Sequence, residues 1–179
     1  MRGLRWVGPA AFAAAAVLSM SAVGPAQVMA QSATPVAVAP TVAAQAGVVL
    51  EMDGPDGARQ TFTIADLEKM PRLAYETTTP WHDGKVRFEG VPLGALFDRL
   101  GVRSSVVQVE ALDGYVIDFP VDDAREKPVI LAYKANGAYM AIRDKGPLFV
   151  IYDYDSDRKL QSEAYYARSV WQVRSIRAR

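Results

Sequence analysis

The 179 residues contain no cysteine, and their one histidine is His82. The first absence removes disulfides, thiolate metal sites, cysteine nucleophiles and redox thiols together. The second excludes a multi-histidine zinc site. An excess of one charge is missing too. Twenty Lys and Arg balance 20 Asp and Glu, so bulk electrostatics give no reason to expect a nucleic-acid partner. A G-x-S-x-G elbow, a P-loop and a G-x-G-x-x-G turn are all absent, as is any internal repeat. With no covalent staple, the fold must stand on its apolar core.

What is present first concerns the compartment. Arg2 and Arg5 form a positive start, an Ala- and Val-rich apolar run extends from Trp6 to Val23, and Val28-Met29-Ala30 ends in a small residue suited to cleavage. This is the layout of a secretory signal peptide over residues 1–30. A membrane anchor is the alternative, but Pro9, Gly24 and Pro25 interrupt the run, which is short for a span of about 20 residues. Gly3 and Leu4 separate the arginines, so the signal is not of the twin-Arg type. The expectation is a periplasmic protein. Residues 31–46, rich in Ala, Pro, Val and Thr and free of charge, read as a flexible tether. Residues 47–179 read as one folded domain. Cleavage after Ala30 would leave 18 basic and 20 acidic residues.

Within the domain, strands are predicted at Val48–Met52 and Gln60–Ile64 around the Asp53–Gly57 turn cluster. A short helix capped by Thr63 and Asp66 follows, then a strand from Arg72 to Thr79, a turn at Asp83-Gly84 and a strand from Val86 to Glu89. The clearest helix starts at Pro92, with Leu93, Leu96, Phe97 and Leu100 on one face and Gly101 as its stop. Hairpins are predicted around Asp113-Gly114 and Asn136-Gly137, the second one reaching Ile142. Pro147–Tyr152 reads as a strand buried on both faces, and Ser169–Ile176 as the last strand. The fold class is therefore α+β, compact and mostly β, with one or two short helices.

Asp153-x-Asp155-x-Asp157 resembles the start of a calcium loop, but Arg158 and Ala164 stand where its glycine and glutamate belong. It reads better as a solvated acidic loop. His82 next to Asp83 is a weak candidate for a proton-transfer pair, since sequence neighbours in a strand point apart.

Three stretches together carry a resemblance. The first runs Tyr75-Glu76-Thr77-Thr78-Thr79-Pro80-Trp81 and on through Phe88-Glu89-Gly90-Val91-Pro92-Leu93. The second is Ala111-Leu112-Asp113-Gly114-Tyr115. The third is Arg143-Asp144-Lys145-Gly146-Pro147-Leu148, with Arg168-Ser169-Val170-Trp171-Gln172-Val173 beyond it. In order and spacing the set is similar to the molybdopterin-binding domain of sulfite oxidase-type oxidoreductases, over nearly all of residues 47–179. The resemblance implies a cleft that holds the pterin part of a molybdenum cofactor. Catalytic members ligate the metal through a cysteine in the segment before the capped helix. Here that segment reads Thr77-Thr78-Thr79-Pro80-Trp81, and neutral hydroxyls are weak ligands for oxidised molybdenum. Molybdenum is therefore not expected, no residue is assigned a catalytic or metal-ligating role, and the lack of a twin-Arg signal agrees with a chain exported without a metal cofactor.

The expected function is a periplasmic pterin-binding protein of sensory or carrier type, acting with a membrane-bound signalling partner. Two rivals remain: a molybdopterin-dependent oxidoreductase that holds its metal without cysteine, and an interaction module with no small-molecule ligand. For a flat polar heterocycle, Trp81, Tyr115 and Trp171 are the candidate stacking residues. Arg143, Lys145 and Arg168 are candidate donors to ring oxygens or a phosphate. Asp113 and Asp153 are candidate acceptors for a pterin amino group and ring N–H. Each also has a plainer reading as packing, ion pair or turn residue.

Overall fold

The computed structural model describes residues 47–178; the segments read as signal peptide and tether lie outside the described residues. Alternation of buried and half-buried side chains sets the first strand, β1 (Leu50–Asp53), which turns Leu50 and Met52 inward. It pairs antiparallel with β2 (Arg59–Phe62) and parallel with β10 (Val173–Ala178), Glu51 facing Ser175. Beyond β10 lie β5 (Val106–Ala111) and β6 (Val116–Pro120), both antiparallel, completing a sheet of order β2-β1-β10-β5-β6. The second sheet runs β3 (Leu73–Thr79), β4 (His82–Pro92), β7 (Val129–Ala135). Along its far side β7 is shared by β8 (Ala138–Tyr139) at one end and β9 (Phe149–Tyr152) at the other.

All four residues of β9 are buried, as are the first five of β7, so these strands form the middle of the core. Each fully buried Leu, Ile or Phe contributes about 1.5–3 kcal/mol relative to exposure. Among the described residues no helix is long and apolar enough to cross a membrane.

The α+β, mostly-β architecture is the one expected, with helices that are all short: α1 (Ile64–Glu68), α2 (Leu93–Arg99), α3 (Val121–Glu126) and α4 (Glu163–Arg168). The predicted capping box is present in α1: the Thr63 hydroxyl accepts from Asp66 N–H, and Asp66 accepts from Thr63 N–H. Gly101 ends α2 at φ +67°. Helices α3 and α4 were not anticipated. Asp122 and Asp123 in the first turn of α3 face its positive end, whereas α4 has no buried residue to give it a periodic apolar face.

Three local expectations are corrected. The β3–β4 turn is at Pro80-Trp81, because Thr79 pairs with His82; Gly84, at φ +71°, falls inside β4 where the register shifts, as a bulge. The strand predicted to Ile142 stops at Tyr139. Past it the backbone closes on itself, Asp144 N–H and Gly146 N–H both donating to the Ala141 carbonyl at 2.9 and 2.8 Å. The last strand begins at Val173 rather than Ser169; Gln172 takes a left-handed φ of +54°, and Trp171 makes only a single bridge to Phe149.

Burial has a consequence at alkaline pH. Tyr152 and Tyr154 are buried within a percent of completely, and burial pushes both phenols well above the usual range, the Asp123 carboxylate adding to the effect at Tyr152. Unfolded phenols ionise near pH 10 while the folded ones stay protonated. Stability is thus unaffected below about pH 10 and falls above it, by roughly 1.4 kcal/mol per pH unit for each tyrosine. Urea denaturation at pH 9, 10 and 11 reads this out. Burial raises Tyr75 in the same way, so Tyr154→Phe should remove at most about a third of the decline, and an identical pH profile in that variant would refute the assignment.

Candidate functional site

The break before β10 and the tip of the β3–β4 hairpin face one cleft of about 420 Å³, lined by Trp81, Ala111, Asp113, Tyr115, Tyr166, Ala167, Ser169, Val170 and Trp171. Its size is that of a small-molecule site. Trp81 occupies the second position of the two-residue turn, its N–H donating to Thr79 Oγ1 at 3.3 Å. The indoles of Trp81 and Trp171 meet edge to face, 5.7 Å between centroids. Tyr166, from α4, meets Trp81 the same way at 5.8 Å. Trp171 is 37% exposed, leaving ring surface for a ligand, and Lys145 Nζ lies 5.3 Å from its ring centroid.

Across the cleft, the β5–β6 turn brings Asp113 and Tyr115. Asp113 Oδ1 accepts Tyr115 N–H at 3.0 Å, and the Tyr115 hydroxyl donates to the Ala167 carbonyl at 3.3 Å, tying the turn to the end of α4. Ser169, nearly buried, donates to the Tyr165 carbonyl at 3.1 Å and lies 2.5 Å from the Tyr154 hydroxyl. Helix α4 is held by Arg168, whose guanidinium donates to the buried Asp123 carboxylate at 2.6 Å; the same carboxylate accepts from the Tyr152 hydroxyl at 3.0 Å.

Four of the eight residues singled out from sequence thus meet at one cleft: Trp81, Asp113, Tyr115 and Trp171. The other four do not line it. Arg168 is spent on Asp123. Arg143 lines a second hollow, of about 640 Å³, with Val48, Leu112 and Ile142 and pairs with Asp144 at 3.4 Å. Lys145 does not line the cleft itself but holds its ammonium over the Trp171 ring. Asp153 lies against Thr77, its carboxyl raised by burial and by neighbouring Asp155. Ser169 and Tyr166 also line the cleft and were not among those eight; no periodic signal marks either one.

The three threonines in the cysteine region are committed elsewhere. Thr77 Oγ1 accepts Asp155 N–H at 3.1 Å, Thr78 Oγ1 donates to Asp155 at 2.6 Å, and Thr79 Oγ1 shares a hydrogen bond of 2.8 Å with His82 Nδ1. Burial, and secondarily Lys145, hold His82 below its ordinary pKa, so its ring is neutral at pH 7. Asp155 also pairs with Lys85, and Asp157 caps a 3-10 turn. Among the described residues no group of three His, Asp or Glu is placed to hold a metal ion.

Comparison with known proteins gives two findings. Residues 36–152 match the family described as oxidoreductase molybdopterin binding domain. The crystal structure of the sulfane dehydrogenase SoxCD from Paracoccus pantotrophus has a similar fold, with a TM-score of 0.53 and 19% sequence identity over 72% of this chain. The alignment spans 37% of that chain, so the match covers little more than a third of its length. No curated protein sequence matches.

Proposed function

The chain belongs to the oxidoreductase molybdopterin binding domain family, and from that premise we propose that the cleft between Trp81, Tyr115 and Trp171 is where it binds a pterin. The observation that carries this reading is the convergence of two indoles, two phenols and one carboxylate on a single cleft of about 420 Å³. The aromatic faces suit a flat heterocycle, and the polar atoms at the edge suit its hydrogen-bonding rim.

The residues present fit the pterin ring. They do not fit thiolate-ligated molybdenum: the chain has no cysteine, and the hydroxyls of Thr77, Thr78 and Thr79 are engaged by protein partners. When bound, a molybdenum-bearing pterin supplies redox chemistry; this chain's side chains stack the ring, orient it and limit its contact with water. The family's description names molybdopterin, so the comparisons lend no support to the expectation that molybdenum is absent. They favour an oxidoreductase working with a molybdenum-bearing pterin. The second reading, a periplasmic sensor or carrier acting with a membrane-bound signalling protein, is supported by the missing thiolate and by the signal-like residues 1–30. Elemental analysis of protein purified from its native host separates the two: stoichiometric molybdenum supports the oxidoreductase, and pterin without metal supports the sensor or carrier.

Pterin binding itself is tested by titrating the full chain with tetrahydrobiopterin while following tryptophan fluorescence. Saturable quenching is expected. Trp171→Ala, at a partly exposed position that costs the core little, should weaken binding by about 1–3 kcal/mol, roughly five- to 150-fold. Unchanged affinity in that variant, with the circular dichroism of the parent, would remove the cleft from consideration.

A further inference from the structure

Resting on the pterin reading of this cleft, we propose that Asp113 selects the heterocycle: the cleft accepts a 2-amino-4-oxopyrimidine ring system and rejects its 2,4-dioxo counterpart. The argument is an account of protons. Three polar side chains line the cleft besides the indoles and Tyr166, and the protein's own hydrogen bonds leave each of them with acceptor capacity alone. Ser169 has one hydroxyl proton, which goes to the Tyr165 carbonyl. The Tyr154 hydroxyl must therefore donate to Ser169, leaving one lone pair on Oγ. The Tyr115 proton goes to the Ala167 carbonyl, leaving oxygen lone pairs. Asp113 Oδ1 takes the Tyr115 N–H, and Oδ2 has no hydrogen-bond partner among the described residues.

A 2-amino-4-oxopteridine presents an amino group and the N3–H side by side, two donors spaced to meet the two oxygens of one carboxylate. In the dioxo compound a carbonyl replaces the amino group, and it would face the Asp113 carboxylate acceptor to acceptor. Stacking on Trp81 and Trp171 is nearly the same for both rings, so the aromatic faces cannot choose between them. The discrimination therefore falls to the hydrogen-bonding edge, where a mismatched polar contact costs far more than a small change in packing.

The matched pair pterin and lumazine differs in this substituent and in the proton that the dioxo compound carries on N1, on the far side of its carbonyl from N3–H. Calorimetric titration of the full chain with each should show pterin bound at least about tenfold more tightly. Asp113→Asn provides the decisive comparison. Its amide oxygen can keep the Tyr115 N–H cap, while its NH2 replaces the free acceptor by a donor. Pterin affinity should then fall by about tenfold or more and lumazine affinity should rise. Asp113→Ser, which retains a turn-capping oxygen, should lose the preference without inverting it, and it guards against a disturbed turn in the asparagine variant. Equal affinity of the parent chain for both compounds, or a preference that survives in both variants, overturns the assignment of Asp113 while leaving the cleft as a pterin site. Binding of neither compound overturns the pterin reading and this inference with it.

Discussion

Asp123→Ala is expected to lower the unfolding free energy by about 3–5 kcal/mol, although its side chain never touches the cleft. The carboxylate is 8% exposed and holds three groups: the Arg168 guanidinium at 2.6 Å, the Lys127 ammonium at 3.4 Å and the Tyr152 hydroxyl at 3.0 Å. Removing it leaves a phenol donor in the core without an acceptor and a guanidinium without its counter-charge. Arg168 is 31% exposed, so water takes over part of its solvation and draws the figure toward the lower end. Nothing comparable reaches Tyr152, which is fully buried. The urea midpoint should fall with the m-value unchanged. A double-mutant cycle with Arg168→Ala should give a combined loss smaller than the sum of the two. Since Arg168 closes α4, and Ala167, Ser169 and Val170 line the cleft beside it, pterin binding should weaken along with stability. A loss under about 1 kcal/mol would mean the cluster behaves like a surface ion pair.

Gly90→Ala should cost about 3 kcal/mol or more, enough to lower the melting temperature by roughly 10 °C. Gly90 sits in β4 where the pairing with β7 shifts register. A β-carbon there would overlap the Leu131 carbonyl and come within 2.5 Å of Ala132 Cα. Both are backbone atoms in the buried part of β7, so no flexible side chain can yield. Gly101→Ala is the control. Its site is open, with nothing within 4 Å, and the only cost is the left-handed backbone at φ +67°, about 1 kcal/mol. Similar melting temperatures for the two variants would show that β4 and β7 can separate at little cost.

Local patterns accounted for most of the strands and for α1 and α2, because an alternating strand or a Leu93-Leu96-Phe97-Leu100 stripe carries its own signal. Helix α4 carries none: it buries no residue and is held by the Arg168–Asp123 pair, whose members are 45 positions apart. The Asp83-Gly84 turn signal was genuine chemistry at the wrong place, since a glycine with positive φ serves a bulge as well as a turn. The same distance problem limited the site. Trp81 and Trp171 are each visible as aromatic residues, but their meeting depends on the Phe149–Trp171 bridge and on the break before β10. Arg143 and Arg168 looked like Lys145, three cations flanking one cleft, because charge alone does not disclose which carboxylate has already claimed it.

The antiparallel pairing of β5 and β10 bears on how this molecule can be handled. At the cleft end of β10, Val173 lies opposite Ala111; at the other end, Ala178 lies opposite Val107. The five residue steps from Val173 to Ala178 span about 17 Å. A biotin or fluorophore attached at Ala178 through Ala178→Cys would therefore sit at the end of β10 away from the binding surface. Anchored to a sensor chip through that position, the protein would present its aromatic mouth to the flowing solution instead of to the support.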